Sequence, residues 1–432
     1  MPASSPPQQP RHGSVREEDG ALVLCGARLA DGRAVDVLLG GGRILAVGAA
    51  GSLAGRAGGC GARVDLGGYV LLPAPAEAHA HLDTALTGVD GPGGSRGPAG
   101  AVEAALLQLG HGATALRTHV RIGGGDGLDT LRAVLAARAA LRGLADIAVV
   151  AAAPLLTGVA GAGGRALLRD AVAMGATAVG GCPDLDPDPA GFTEAVLRVA
   201  AEYGCAADLH CDGADPARLD RVAAVAGELG CGVAVGPCGG LARVPYETAA
   251  GVAERLAGAG VAVVCLPQGD CGAVREAGRG GPAGGAGRRG AGVRSFAYAP
   301  VRLLRAAGVR VAAGSGAVRD AANPVGRGDP LQSAYLLASA GEAEPEAAYA
   351  AVAGQARAVL GLPEVRVEAG FPAELLAVRG DSVEGALSLG YSRIVIHRGR
   401  VVARTSAVRE YCDSGAADLA ALPRQGLRGT AG

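Results

Sequence analysis

Glu77-Ala78-His79-Ala80-His81-Leu82-Asp83 sets two histidines one residue apart. In an extended chain alternate side chains share a face, so both imidazoles project the same way. That spacing suits two neighbouring positions on one metal ion, and it suits an ordinary packed strand face as well. A third histidine, in Leu209-His210-Cys211-Asp212, stands at the end of another apolar run and favours the metal reading. Arg117-Thr118-His119 ends a further run, where His119 reads either as a ligand or as a hydrogen-bonded core histidine. His12, His111 and His397 fall in a tail, a helix–loop region and a terminal strand, and all three read as ordinary. The basic residues, 40 in all, are without exception Arg. A Schiff-base lysine, a P-loop lysine and a carboxylated lysine bridging two metals are therefore excluded.

The elements that must position these residues follow from patterning. A Pro-, Ser- and Gln-rich tail over 1–19 precedes short strand-like runs at Ala21–Leu24, Ala34–Leu39, Arg43–Val47 and Arg63–Leu66, separated by glycine turns. From about residue 73, apolar runs alternate with stretches of helical period. The runs end near Pro75, Val120, Pro154, Gly181, Leu209, Gly236, Pro267 and Gly314. Helices are expected at Thr130–Leu144 and Phe192–Tyr203. Eight strand–helix repeats predict an α/β fold, a (β/α)8 TIM barrel over 73–369. Strands at Glu374–Val378, Ile394–His397 and Val401–Arg404 return at the end, and with residues 20–72 they predict a small β-sandwich over 20–72 plus 370–405. Residues 406–432 read as a tail with a short helix at Ala416–Leu422. The uncharged stretch Ile147–Gly164 reads as a strand followed by a loop, not a membrane span.

With these motifs in view, the chain resembles the amidohydrolase superfamily, and within it the cytosine-deaminase-like branch. Asp65-Leu66-Gly67-Gly68 with Leu72-Pro73 looks like the lead into the barrel. The His79/His81 segment, Arg117-Thr118-His119-Val120, Leu209-His210-Cys211-Asp212, and Gly314-Ser315 through Asn323-Pro324-Val325-Gly326-Arg327-Gly328-Asp329-Pro330-Leu331 match the branch motifs of strands 1, 2, 5 and 8. The resemblance implies one divalent metal, zinc or iron, held by His79, His81, His210 and a strand-8 Asp. It implies water activated for attack on the C–N carbon of a cyclic amidine or amide. It also implies a proton-shuttling Glu after strand 5 and a His on strand 6.

The chain departs from that pattern at the chemistry. The Glu position is Gly213, the strand-6 His position is Pro237, and the strand-8 Asp position is Gly316. A substrate-contacting Gln after strand 3 corresponds to Leu155, and His119 is a second candidate substrate contact. Losing the carboxylate ligand weakens the metal site or empties it, and losing a positioned acid/base costs about 10²–10⁴ in rate. Asp212, Asp215, Cys238 and Asp320 are the nearby groups able to substitute; turn capping and surface placement are the plainer readings of all four. The expectation is a catalytically impaired member, a pseudoenzyme, against the alternative of an active C–N hydrolase with a non-standard residue set.

Composition bounds the rest. A net charge of -1 gives no general attraction to nucleic acid or to an anionic membrane; the resemblance implies a small-molecule ligand and allows a homo-oligomer, which nothing in the residues specifies. Ten cysteines without a CxxC pair, and no apolar leader in the first nineteen residues, read as free buried thiols in a cytoplasmic protein. Gln268–Arg294, rich in Gly and Arg, reads as a solvated excursion or an anion-binding lid.

Overall fold

The structure, a computed structural model, describes residues 21–53, 55, 61–88, 96–269 and 298–407. The tail at 1–19, most of the Gly/Arg segment, the helix expected at Ala416–Leu422, and His12 lie outside them.

Strands β1 (Leu22–Arg28), β2 (Ala34–Gly40), β3 (Arg43–Ala49), β4 (Ala62–Asp65) and β5 (Tyr69–Pro73) open the chain. Then come β6 (Ala76–Ala80), β7 (Ala115–Arg121), β8 (Asp146–Ala153), β9 (Ala178–Gly181), β10 (Ala206–Cys211), β11 (Val233–Pro237), β12 (Ala262–Cys265) and β13 (Val311–Ala313). These eight form one parallel sheet in sequence order. A bridge between Ala80 and Gly316 brings its two edges together into a barrel. Strands β14 (Leu375–Arg379), β15 (Arg393–His397) and β16 (Arg400–Thr405) join β1–β5 in a separate mixed sheet, ordered β16-β15-β14-β5-β1-β2-β3 with β4 on β1. Leu24, Val37, Ile44, Leu71, Leu375 and Ile396 pack in its own apolar core, as the terminal strands predict.

Helices follow the barrel strands in turn: α1 (Gly97–Gly110), α2 (Asp129–Ala140), α3 (Gly158–Met174), α4 (Pro189–Tyr203), α5 (Pro216–Leu229), α6 (Tyr246–Gly258), α7 (Val301–Ala306) and α8 (Pro330–Ser339). Three of them begin with the same device. Asp188, Asp215 and Asp329 each cap the first turn through the side chain, and each is followed by proline at the first helical position. The carboxylate satisfies an orphan backbone N–H, and proline lacks one to satisfy.

Two expectations need correction. The barrel begins at Ala76 rather than at 73, while Tyr69–Pro73 pairs with β14 and β1 in the mixed sheet, as the sandwich expected over 20–72 has it. Pro73 and Pro75 have no N–H to give a ladder, and the chain changes sheet there. The second half of Ile147–Gly164 is the start of α3 rather than a loop. Two of its glycines serve close packing: a Cβ at Gly161 would come within 2.3 Å of the Leu156 carbonyl, and one at Gly164 within 1.9 Å of the Leu155 carbonyl. No helix among the described residues is long and apolar enough to cross a membrane. The seven described cysteines are free, but Cys25, Cys205 and Cys231 are only half-buried.

Candidate metal centre

Barrel strands β6, β7 and β10 carry the histidines, and alternation sends them to the interior. His79 and His81 lie on β6 and its exit, His119 on β7, and His210 on β10. The four rings converge, with one ligand nitrogen from each within 4.8 Å of all the others. The Nε2 atom of His79 lies 3.3 Å from that of His81 and 3.0 Å from that of His210. The His119 ring centre is 4.0 Å from that of His79 and 4.5 Å from that of His210. The structure thus brings together the three histidines named from the sequence and adds His119, for which metal and core readings were both open.

Electrostatics keep these rings neutral. Burial holds His79 and His119 well below the usual imidazole range, and neighbouring imidazoles lower them further. Burial also lowers His81 to about 4, against the opposing pull of Asp320, and lowers His210 to about 3. A neutral imidazole offers one lone pair and one N–H. One His79 nitrogen facing two other imidazole nitrogens at 3.0–3.3 Å is an arrangement that a cation satisfies better than a single proton. The spacing agrees with zinc, since Zn–N bonds of about 2.0–2.1 Å separate tetrahedral ligands by about 3.3–3.4 Å. The donor set therefore fits a divalent ion of the nitrogen-preferring kind.

Beneath the rings is a charged floor. Two positions before an imidazole, on the same strand face, stand Glu77 (before His79), Arg117 (before His119) and Asp208 (before His210). All three are buried. Arg117 donates to Asp208 Oδ2 at 3.1 Å and to the Val359 carbonyl at 2.9 Å. Asp208 Oδ1 lies 3.4 Å from His119 Nε2. Glu77 accepts from the His79 amide and from the amide and hydroxyl of Ser315, and burial pushes its carboxyl up to about 7 despite those bonds. Sequence reasoning quoted Glu77 and Arg117 only as parts of motifs and missed Asp208. The i, i+2 alternation below each histidine was the signal that could have found all three.

The three departures sit as follows. Gly316 donates its amide to the His79 carbonyl at 2.9 Å, so it adjoins the centre, but its φ is 71°. Gly213 has φ 80°, and a Cβ there would meet Leu219 at 3.2 Å and Leu241 at 3.4 Å. Both backbones lie where an L side chain is strained, by about 1–3 kcal/mol. Pro237 ends β11 and is buried.

The proposed substitutes are occupied elsewhere. Asp212 accepts from the Gly240 amide and pairs with Arg243 at 2.7 Å. Asp215 caps α5. Cys238 is buried in the apolar core around the barrel, outside the imidazole group, and burial pushes its thiol up. Asp320 lies near enough to His81 to act on its charge, but it accepts from Thr84 Oγ1 at 2.8 Å and from the amides of Ala322 and Asn323. Among the described residues, Asp208 is the carboxylate within 4.0 Å of a cluster imidazole nitrogen. Leu155 is half-buried in the turn between β8 and α3. His111 contacts the Gly328 carbonyl and His397 pairs with Glu374, both structural as expected.

The barrel gathers four imidazoles where its strands end, the face at which barrels of this kind carry their sites. The model of the amidohydrolase family matches residues 99–403, and the chain belongs to that family. The solved structure of N-isopropylammelide isopropylaminohydrolase from Burkholderia multivorans is similar, with 27% identity over 90% of this chain and 100% of that one and a TM-score of 0.75. The 5-methylcytosine deaminase from Klebsiella pneumoniae, liganded with phosphonocytosine, has 21% identity with the same coverage and the same TM-score, a likeness of fold. Molinate hydrolase, at 15% identity over 89% of this chain and 95% of that one, has a TM-score of 0.64. No sequence of a curated protein matches.

Proposed function

We propose that the chain is a cytosine-deaminase-like amidohydrolase that holds one divalent ion, zinc or iron, and takes a small cyclic ligand, with C–N hydrolysis impaired by the loss of its proton-transfer groups. The observation that carries this is that the carboxylates named from the sequence as substitutes are engaged elsewhere. Gly213, Pro237 and Gly316 bring no ionisable side chain, while Asp212 and Asp320 are clamped by other partners. When bound, the metal supplies Lewis-acid activation of water and of the substrate carbon. His79, His81 and His210 would hold it as neutral donors. A hydrolysis of this kind must take a proton from water and give one to the leaving nitrogen, and among the described residues Asp208, whose other oxygen Arg117 holds, keeps an unbonded carboxylate oxygen near the imidazoles.

The test is metal analysis of the purified chain together with amine release from pyrimidines, triazines and cyclic amidines. The expected outcome is bound metal with no release above that of His81→Ala. Robust turnover that disappears in His81→Ala would sink the proposal. The likeness to the isopropylaminohydrolase over nearly the whole chain favours a second reading, an active C–N hydrolase, so N-isopropylammelide belongs in the same assay. A Gly213→Glu, Pro237→His, Gly316→Asp variant that gains turnover would place the defect at those three positions.

A further inference from the structure

We infer that His119 is the fourth ligand of the metal centre, filling the coordination position that Gly316 leaves without a carboxylate, so that four imidazoles close the shell around the ion. This rests on the reading above that the barrel holds a metal.

His119 is 1% exposed, and its ring makes no well-formed hydrogen bond, its neighbours being Asp208 Oδ1 at 3.4 Å from Nε2 and the Ala80 backbone. Leaving a buried polar group unsatisfied costs about 1–3 kcal/mol, which packing alone does not explain. Its ring tilts 30° to His79 at 4.0 Å, which accounts for its burial as a packed core histidine but not for a ring nitrogen gathered with those of three other imidazoles. A ligand nitrogen of His119 shares the 4.8 Å sphere with those of His79, His81 and His210, and no carboxylate enters that group. Asp208 completes the argument. It lies 3.4 Å from His119 Nε2 and is itself anchored by Arg117 at 3.1 Å. A carboxylate beside a ligating imidazole holds one ring nitrogen as the proton-bearing side and leaves the other lone pair for the ion.

Two consequences follow. Four neutral donors leave the double positive charge of the ion uncompensated, and imidazole-only sites favour zinc, cobalt or copper over magnesium or manganese. A four-ligand shell is the closed form that zinc takes in structural sites, without the open position that catalytic sites keep. Closure is then a cause of impairment separate from the missing proton relay.

The experiment loads the full chain and its His119→Ala variant with Co²⁺ and records stoichiometry, affinity and the d–d spectrum, with and without azide. The expected result is one Co²⁺ per wild-type chain, with an intense four-coordinate band that azide leaves unchanged. His119→Ala should bind at least about tenfold more weakly, and its shifted band should respond to azide as the vacated position is taken. An azide response in the wild-type chain, which needs no variant, would overturn the inference, as would an identical spectrum and affinity in His119→Ala. Either of those leaves the metal reading standing, whereas absence of bound Co²⁺ from both proteins overturns the metal reading and this inference together.

Discussion

Among the described residues histidine is buried in two places, and the two differ in what answers it. In the mixed sheet, His397 meets Glu374 Oε2 at 2.8 Å, and the other Glu374 oxygen accepts from the Arg398 amide at 3.0 Å. Burial pushes the Glu374 carboxyl up, yet the hydrogen bond and charge of His397 bring it below the ordinary range. Asp36, in the same sheet, accepts from the amides of Gly26 and Leu53. Inside the barrel, four imidazoles face mainly one another instead of a carboxylate; His79 and His210 each lack a hydrogen bond at Nδ1, as His397 does at Nε2, and His119 lacks one at both nitrogens. A buried polar group whose partner is within the chain supports the fold. One whose partner is missing from the chain is poised for something from outside.

The comparison can be tested most severely at the barrel floor. Asp208→Ala should destabilise the metal-free chain by about 3–5 kcal/mol in urea unfolding, because it strands the buried Arg117 charge. A loss under about 1 kcal/mol would show that the floor is not the buried ion pair described. Acid should act next. Because His81 and His210 are lowered to about 4 and about 3, the unfolded chain takes up protons below its ordinary value of 6.5 while the folded chain does not. Their contribution to stability is therefore full above about pH 6.5 and lost as the pH falls toward those folded values. Thermal unfolding of the metal-free chain should show this loss, on the order of a few kcal/mol, and replacing His81 with Ala should flatten it. The smallest effect belongs to the mixed sheet. His397→Ala should cost about 1–3 kcal/mol by depriving Glu374 of its partner, with metal content unchanged. A change in metal stoichiometry there would break the contrast between the two regions.

The barrel was legible from alternation of apolar runs and helical stretches, because each strand buried on both faces reads as a continuous apolar segment. The exact start of the barrel was less so, because Tyr69–Pro73 is as apolar as any barrel strand although it belongs to the terminal sheet expected over 20–72. His79, His81 and His210 were legible from strand spacing. Whether His119 joined them was not, since membership depends on which strands are neighbours across the barrel interior, a matter of closure rather than of local pattern. Asp208 went unremarked because a carboxylate in an apolar run looks like an exception until its Arg117 partner is brought 91 positions through the chain to meet it. The clamping of Asp212 by Arg243 and the positive φ of Gly213 and Gly316 belong to three-dimensional contacts and turns that residue identity leaves open.

The first and last staves of the barrel meet through a single bridge at Ala80 and Gly316, and the last of them is only three residues long. The wall should breathe first along that seam. Because the Gly316 amide is held by the carbonyl of His79, its deuterium uptake would report directly on the backbone that carries the imidazoles, and an ion drawn into their midst would slow that uptake by lacing the seam shut.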